Sequence, residues 1–218
     1  AKVRLLGINI KNGNQGLEIH GNDSTIIEIE GGKEVQPIIV RILSMETTDN
    51  GKKMILCVDN KKNIYNIIDY SSSTSICKEG DVIECMPSKV YGNSVTLDNN
   101  SFVRKLENDE SIPSLAKIRT KINEVKVDGN YCIEAIILKI PERREIQTKS
   151  GESILLSEMF VEDDTGQIWV KGWRNQARLI DKCEIGEIIS ITGVNAKAGL
   201  EGRIELSLTQ FSKITKKN

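Results

Sequence analysis

Residues 167–173 read Gln-Ile-Trp-Val-Lys-Gly-Trp and hold both tryptophans of the chain. Trp169, Lys171 and Trp173 alternate, so a strand here sets all three on one face and Val170 and Gly172 on the other. Two aromatic faces flanking an ammonium group suit single-stranded nucleic acid, with bases stacked on the rings and a phosphate at the lysine. The same pattern also fits one tryptophan in a core and the other as a partly exposed packing residue. Further cations fall in three places. Arg174 follows Trp173 directly, Arg143, Arg144 and Lys149 sit in the polar stretch 142–151, and Lys197 and Arg203 flank a Gly-rich turn. Converging on one strand, they would track a phosphate backbone.

Little else in the sequence promises chemistry. There is no nucleophile elbow, P-loop, dinucleotide fingerprint or H-E-x-x-H. A single histidine, His20, leaves little for general acid–base work. The five cysteines, at 57, 77, 85, 132 and 183, show no C-x-x-C spacing and read as buried, reduced thiols rather than zinc ligands. Asp163 and Asp164 before Gly166 read as a hairpin turn rather than a metal site. Neither catalysis, a cofactor nor a metal is expected.

Composition sets the outer limits. The chain has 218 residues, 39% hydrophobic and 28% charged, which describes a foldable chain of one or two domains. No apolar run approaches the roughly 18 residues of a membrane span, and no basic-then-apolar leader is present. The expected location is cytoplasmic (nucleoid-associated) or nuclear. With 30 Lys+Arg against 31 Asp+Glu, binding driven by bulk charge is excluded. Residues 1–112 carry 13 basic and 16 acidic groups and residues 113–218 carry 17 and 15, so a polyanion should prefer the second half.

The elements that must position these residues are mostly strands. β-branched and apolar runs at 131–140, 154–161, 167–173, 187–195 and 203–211 are separated by a long loop, the acidic turn 162–166, a short helical stretch and a Gly-rich turn. Five strands with a helix between the third and fourth is the order of an OB-fold, a small Greek-key barrel; a five-stranded SH3-like barrel normally lacks that helix. A weaker copy of the order runs through 36–46, 52–58, 63–70, 81–86, 94–97 and 101–106. Residues 107–116 read as a linker, with Ser114 as the cap of a helix carrying Leu115, Ile118 and Ile122. Gly7, Asn9, Lys11, Gly13 and Gly16 recur at an offset of 186 as Gly193, Asn195, Lys197, Gly199 and Gly202. The expected class is therefore all-β, with tandem five-stranded OB-fold Greek-key barrels and short helices between strands 3 and 4 and in the linker. The expected division is a C-terminal strand pair of a truncated barrel over 1–32, a middle barrel over 33–108, and a linker helix plus last barrel over 109–218.

The stretch Ser150-Gly151-Glu152, then Met159-Phe160-Val161-Glu162-Asp163-Asp164-Thr165-Gly166-Gln167-Ile168-Trp169-Val170-Lys171-Gly172-Trp173-Arg174-Asn175-Gln176-Ala177, resembles the core of a single-strand-binding OB domain of the replication protein A family, archaeal and eukaryotic. The resemblance is good over 113–215, weaker over 33–106, and returns at 5–19 through the repeat. It implies that Trp173, ending the third strand, stacks on a base, and that Arg143, Arg144 and Lys149 contact backbone. Trp169 departs from the pattern, where the family often has a basic residue. Residues 187–195 lack the aromatic expected near the fourth strand, and the zinc element of some members is absent. The candidate interface is Trp169, Lys171, Trp173, Arg174, Arg143, Arg144, Lys149, Lys197, Phe160 and Arg203. Aligning Ile64 with Ile168 sets Tyr65 against Trp169 and Asp69 against Trp173, so the middle barrel is expected to bind weakly. The expected function is non-catalytic binding and protection of single-stranded DNA in replication, repair and recombination, with other replication or repair proteins as partners. A protein-interaction module and the RNA-binding appendage of a larger enzyme, such as an aminoacyl-tRNA synthetase, are the alternatives.

Overall fold

Period-two alternation and closely spaced turn residues put most of the chain into β hairpins. The computed structural model of the protein describes residues 2–13, 16–22, 24–30, 36–148, 150–199 and 202–217. The chain divides into two units, Ala1–Gln36 and Pro37–Asn218. The boundary expected at 32/33 lies outside the described residues.

The first unit is a broken hairpin. β1 (Lys2–Leu6) pairs antiparallel with β4 (Ile26–Glu30), and β2 (Asn9–Gly13) pairs with β3 (Gly16–His20). The break between β1 and β2 falls at Gly7, whose φ of 69° is cheap only for glycine.

The second unit holds two closed barrels. The first is built from β5 (Ile38–Thr47), β6 (Lys53–Val58), β7 (Ile64–Asp69), β8 (Val82–Met86), β9 (Lys89–Tyr91), β10 (Ser94–Leu97) and β11 (Phe102–Lys105). β5, β6 and β7 form a meander. β8 returns to β5, β11 pairs with β8, and β10 runs parallel to β7. Thus β8–β9 and β10–β11 are each one bent strand, and five strands close the barrel. Val40, Ile42, Ile55, Ile67, Ile83, Val95 and Leu97 fill it.

The linker carries α1 (Leu115–Ile118) and a 3-10 turn over Ile122–Glu124. Ser114 precedes α1 in extended conformation, but its side chain makes no capping hydrogen bond. The last barrel comprises β12 (Asn130–Lys139), β13 (Arg144–Gln147), β14 (Ser153–Glu162), β15 (Gln167–Trp173), α2 (Ala177–Ile180), β16 (Ile188–Ala198) and β17 (Ile204–Lys216). β12 pairs with both β14 and β16, and β17 runs parallel to β15, the closure of an OB barrel. Ile133, Ile137, Met159, Val170, Ile191 and Leu206 are its core, plugged at one end by Ile122.

Several details differ from the sequence reading. The long polar loop is partly a strand: β13 folds onto β14 as a hairpin, with Glu145 opposite Leu155. β17 continues five residues past 211, around a register shift. The helix between strands three and four forms in the last barrel, whereas residues 70–80 of the middle barrel are turns. Asp69 organises those turns. Its carboxylate accepts from the backbone N–H and hydroxyl of both Ser71 and Thr74, at 2.7–2.9 Å. Burial alone would raise the Asp69 pKa, but these four bonds outweigh it and hold the group below the usual carboxylate range. A depressed folded pKa contributes stability above the unfolded value near ~4 that is lost as pH falls through the folded one. Asp69→Asn should therefore flatten the fall in melting temperature between about pH 4 and pH 2, measured by circular dichroism.

The two barrels share a third apolar cluster. Leu43, Leu56, Val58 and Val82 of the middle barrel meet Ile112 of the linker and Cys132 of the last, with Phe211 against them. Gly193 sits where Leu56 approaches, and a Cβ there would lie 3.0 Å from the Phe211 carbonyl and 3.4 Å from Leu56. Arg41, 7% exposed, ties down the linker. Its guanidinium donates to the carbonyls of Ile112, Gly80 and Asp109 and to Asn108 Oδ1, at 2.7–3.0 Å. Thr192 donates to Ser44 at 3.0 Å across the seam, and Lys213 bridges Glu46 and Glu79.

All five cysteines are free. Burial pushes the Cys85 thiol to about 12 and Cys132 to about 11, whereas Cys183 is only half-buried. With a thiol-reactive dye at pH 8, Cys183 should label first and Cys57, Cys85 and Cys132 only after unfolding.

Candidate nucleic-acid interface

Burial along β15 alternates: Ile168, Val170 and Gly172 point into the barrel, and Trp169, Lys171 and Trp173 are half-buried on the outer face. Neither tryptophan belongs to a buried core cluster. The pairing with β14 sets Phe160 opposite Trp169, Glu158 opposite Lys171 and Leu156 opposite Trp173. The Phe160 and Trp169 rings lie 4.8 Å apart at 38°, an aromatic pair of ordinary geometry. Phe160, Trp169, Gln167 and Arg203 line a shallow cavity with Ile122 and Ile204. The outer face of β14–β15 thus carries the Phe160–Trp169 ring pair and, beyond Lys171, the ring of Trp173.

The cations around these rings are already paired with acids. Lys171 bridges Glu158 at 3.4 Å and Glu205 at 2.7 Å. Arg144 pairs with Glu158, Arg174 with Glu152, and Arg143 with Asp181 at 2.6 Å. Arg174 holds the Glu152 carboxyl below its ordinary range. Lys197 is exposed on β16, opposite Glu205. Lys149 lies outside the described residues. Phe160, Trp169, Lys171 and Trp173 therefore share the β14–β15 face, Glu158 joins Arg144 to it, and Arg143 is tied instead to Asp181 beyond α2. The exposed Arg174–Glu152 and Arg143–Asp181 pairs are worth roughly 0–1 kcal/mol, so an incoming phosphate exchanges for those carboxylates at little net gain, whereas Lys171 and its two carboxylates are half-buried.

Asp163 is a turn organiser: it accepts from the backbone of Thr165, Gly166 and Ile122, while Asp164 pairs with Lys121. No group of His, Cys, Asp and Glu able to hold a metal occurs among the described residues.

The middle barrel corrects one alignment. Parallel pairing sets Ile67 beside Val95 and Val170 beside Leu206, all four buried. Ile67 is therefore the counterpart of Val170, which places Asp69 at Gly172 and Tyr70 at Trp173. The register expected from sequence is off by one because Ile64-Tyr65-Asn66-Ile67-Ile68 is apolar on both faces. Tyr65 faces the core, Asp69 serves its turn, and Tyr70 stands 52% exposed with the Lys52 ammonium 4.8 Å from its ring centre. Sequence reasoning missed Tyr70; the signal was its place as the last residue before the Ser71-Ser72-Ser73 turn, as Trp173 precedes its own turn.

Strand order, the parallel closure and the α2 position define tandem OB barrels. No protein-family model matches the chain. It is 25% identical over 122 residues, 55% of its length, to Replication factor A of Methanothermobacter thermautotrophicus, and the match spans 15% of that protein. By fold it is similar to a murine DNA-binding protein solved with double-stranded DNA, with a TM-score of 0.56 and 14% identity over 83% of this chain and 94% of that one. It is also similar to a replication protein A heterotrimer solved with single-stranded DNA, with a TM-score of 0.52 and 15% identity over 88% of this chain and 52% of that one. The chain is thus an all-β protein of tandem OB barrels, similar in sequence over part of its length to an archaeal Replication factor A.

Proposed function

We propose that this chain binds single-stranded DNA without catalysis, stacking bases on Trp173, Trp169 and Phe160. The observation that carries the reading is the set of three rings on the outer face of one strand pair, outside the core, with Lys171 between Trp169 and Trp173 and Arg203 beside Phe160 and Trp169. Stacking supplies most of the affinity. The nearby cations are largely compensated, so phosphate contacts contribute less than in a basic groove. The similarity to Replication factor A and the DNA-bound OB neighbours support the ligand class. Protection of exposed single strands during replication, repair and recombination, at the nucleoid or in the nucleus, is the role this chemistry serves.

Tyr70 extends the proposal to the middle barrel. The cavity around Tyr70 and Lys52 also takes in Gln210 of β17, and a second cavity joins Gln210 to Asn175 and Gln176, just beyond Trp173. One strand can thus run from the last barrel to the middle one. The test is length dependence. Tyr70→Ala should weaken an unstructured 30-mer at least about 5-fold and leave an oligonucleotide of about 8 nucleotides, which fills one barrel, unchanged. Equal loss for both lengths would place Tyr70 in general packing; no loss for either would confine binding to the last barrel.

A further inference from the structure

The hairpin of residues 2–30 repeats, bond for bond, a corner of the last barrel, and the middle barrel shares one of its two bonds. In the last barrel the fifth strand breaks at Thr209–Ser212, where Ser212 Oγ accepts from the Thr209 N–H and donates to the carbonyl of Gly193, at 2.8 and 2.7 Å. In the hairpin, Thr25 Oγ1 accepts from the Asn22 N–H at 2.8 Å and donates to the carbonyl of Gly7 at 2.9 Å. Gly7 and Gly193 share a φ of 69°. In the middle barrel Ser101 Oγ accepts from Asp98 and Ser88 at the same corner, at 3.0 Å. The pairing matches too: β1 with β4 and β2 with β3, as β8 with β11 and β9 with β10.

The two hairpins differ in what covers them. Pair by pair, Ile10–Ile19 corresponds to Ala196–Leu206, and Leu5–Ile27 to Ile191–Ile214. Ala196, Leu206 and Ile191 are at most 1% exposed. Ile10, Ile19 and Ile27 are about 60% exposed. The residues of a barrel interior are present without the wall that buries them, and a hairpin alone is marginal in water.

We infer that residues 2–30 are the fourth and fifth strands of a third OB barrel, and that their apolar face docks a three-stranded antiparallel meander supplied by polypeptide other than residues 1–218. The barrels fix its pairing. As β12 lies against β16, its first strand runs antiparallel along the free edge of β1; as β15 lies against β17, its third strand runs parallel to β3 beside Glu18–His20. A second copy of this chain is the wrong occupant. Its two meanders are already closed by their own hairpins.

The probe is a meander from this protein. In the last barrel, residue 188 corresponds to Lys2 through the offset of 186, so residues 109–187 joined directly to Lys2 of the full chain reproduce the last barrel's own connection from α2 to its fourth strand. Amide exchange should slow at least tenfold at Val3, Leu5, Leu17 and Ile19 relative to the unfused chain, and Ile19→Glu should abolish that gain. In the unfused chain, the same substitution should leave the unfolding of residues 37–218 and the exchange of 2–30 unchanged. No gain in the fusion overturns the inference. So does an unfused, monomeric chain in which those amides are already protected to the level of the closed barrels, or protection that appears only as the chain dimerises.

Discussion

Trp173→Ala lowers the affinity for an unstructured single strand roughly 5- to 150-fold, the equivalent of the ~1–3 kcal/mol that one stacked base contributes. The loss should sit in the dissociation rate, because stacking is made after encounter. Trp173→Phe should recover most of it, since any aromatic face can stack, and a recovery would separate stacking from indole hydrogen bonding. Trp173 stands outside the core clusters, so the alanine variant should keep its melting temperature within a few degrees. Trp169→Ala is a less clean experiment. Its ring lies against Phe160, and the variant removes that contact along with any base contact. Trp173→Ala with full affinity would remove Trp173 from the interface.

Arg41→Met costs about 3 kcal/mol of unfolding free energy, by loss of charge-assisted bonds and stranding of buried carbonyls. Arg41 is tied to Gly80 in its own barrel and to Asn108, Asp109 and Ile112 of the linker. Methionine keeps much of the stem's packing, so the measured loss reports the bonds rather than a cavity. Urea unfolding should show a lower midpoint. The pairing of the barrels through Leu43, Leu56, Val82 and Phe211 predicts a single transition for residues 37–218 in the unmodified chain, and Arg41→Met should begin to separate it into two. A loss of stability below ~0.5 kcal/mol, less than one ordinary hydrogen bond, would mean that the apolar seam alone holds the linker.

Much of this was legible in the residues because strands announce themselves by period and turns by composition. β15 has the bounds its alternation implies, and the Gly-rich stretch 196–202 lies where β16 ends, at Ala198, and before β17 starts, at Ile204. The seam was not legible. Leu56 and Val58 belong to a strand apolar on both faces, and sequence alone does not say that the second face meets another barrel rather than a core. The same two-sidedness in β7 hid Tyr70 behind a register error of one residue. At the candidate interface the type and face of Trp169, Lys171 and Trp173 followed from spacing. The carboxylates that neutralise Lys171 and Arg144 did not: Glu205 arrives from the last strand, and Glu158 stands opposite Lys171 only through the register of the β14–β15 hairpin. The repeat at 186 residues identified the first hairpin, but only the Thr25 and Ser212 corners show that the likeness reaches hydrogen bonds.

Tryptophan fluorescence titrated with oligothymidine, at low and at moderate salt, tests single-strand binding on the β14–β15 face most directly. Both reporters, Trp169 and Trp173, lie on that face and no other tryptophan dilutes the signal. Strong, saturable quenching is expected. Affinity should fall with salt along a log–log slope shallower than about −3, because compensated cations allow fewer than about four phosphate contacts at roughly −0.7 each. Binding that leaves both tryptophans unquenched would contradict the placement of the ligand, and no binding at either salt would contradict the function itself.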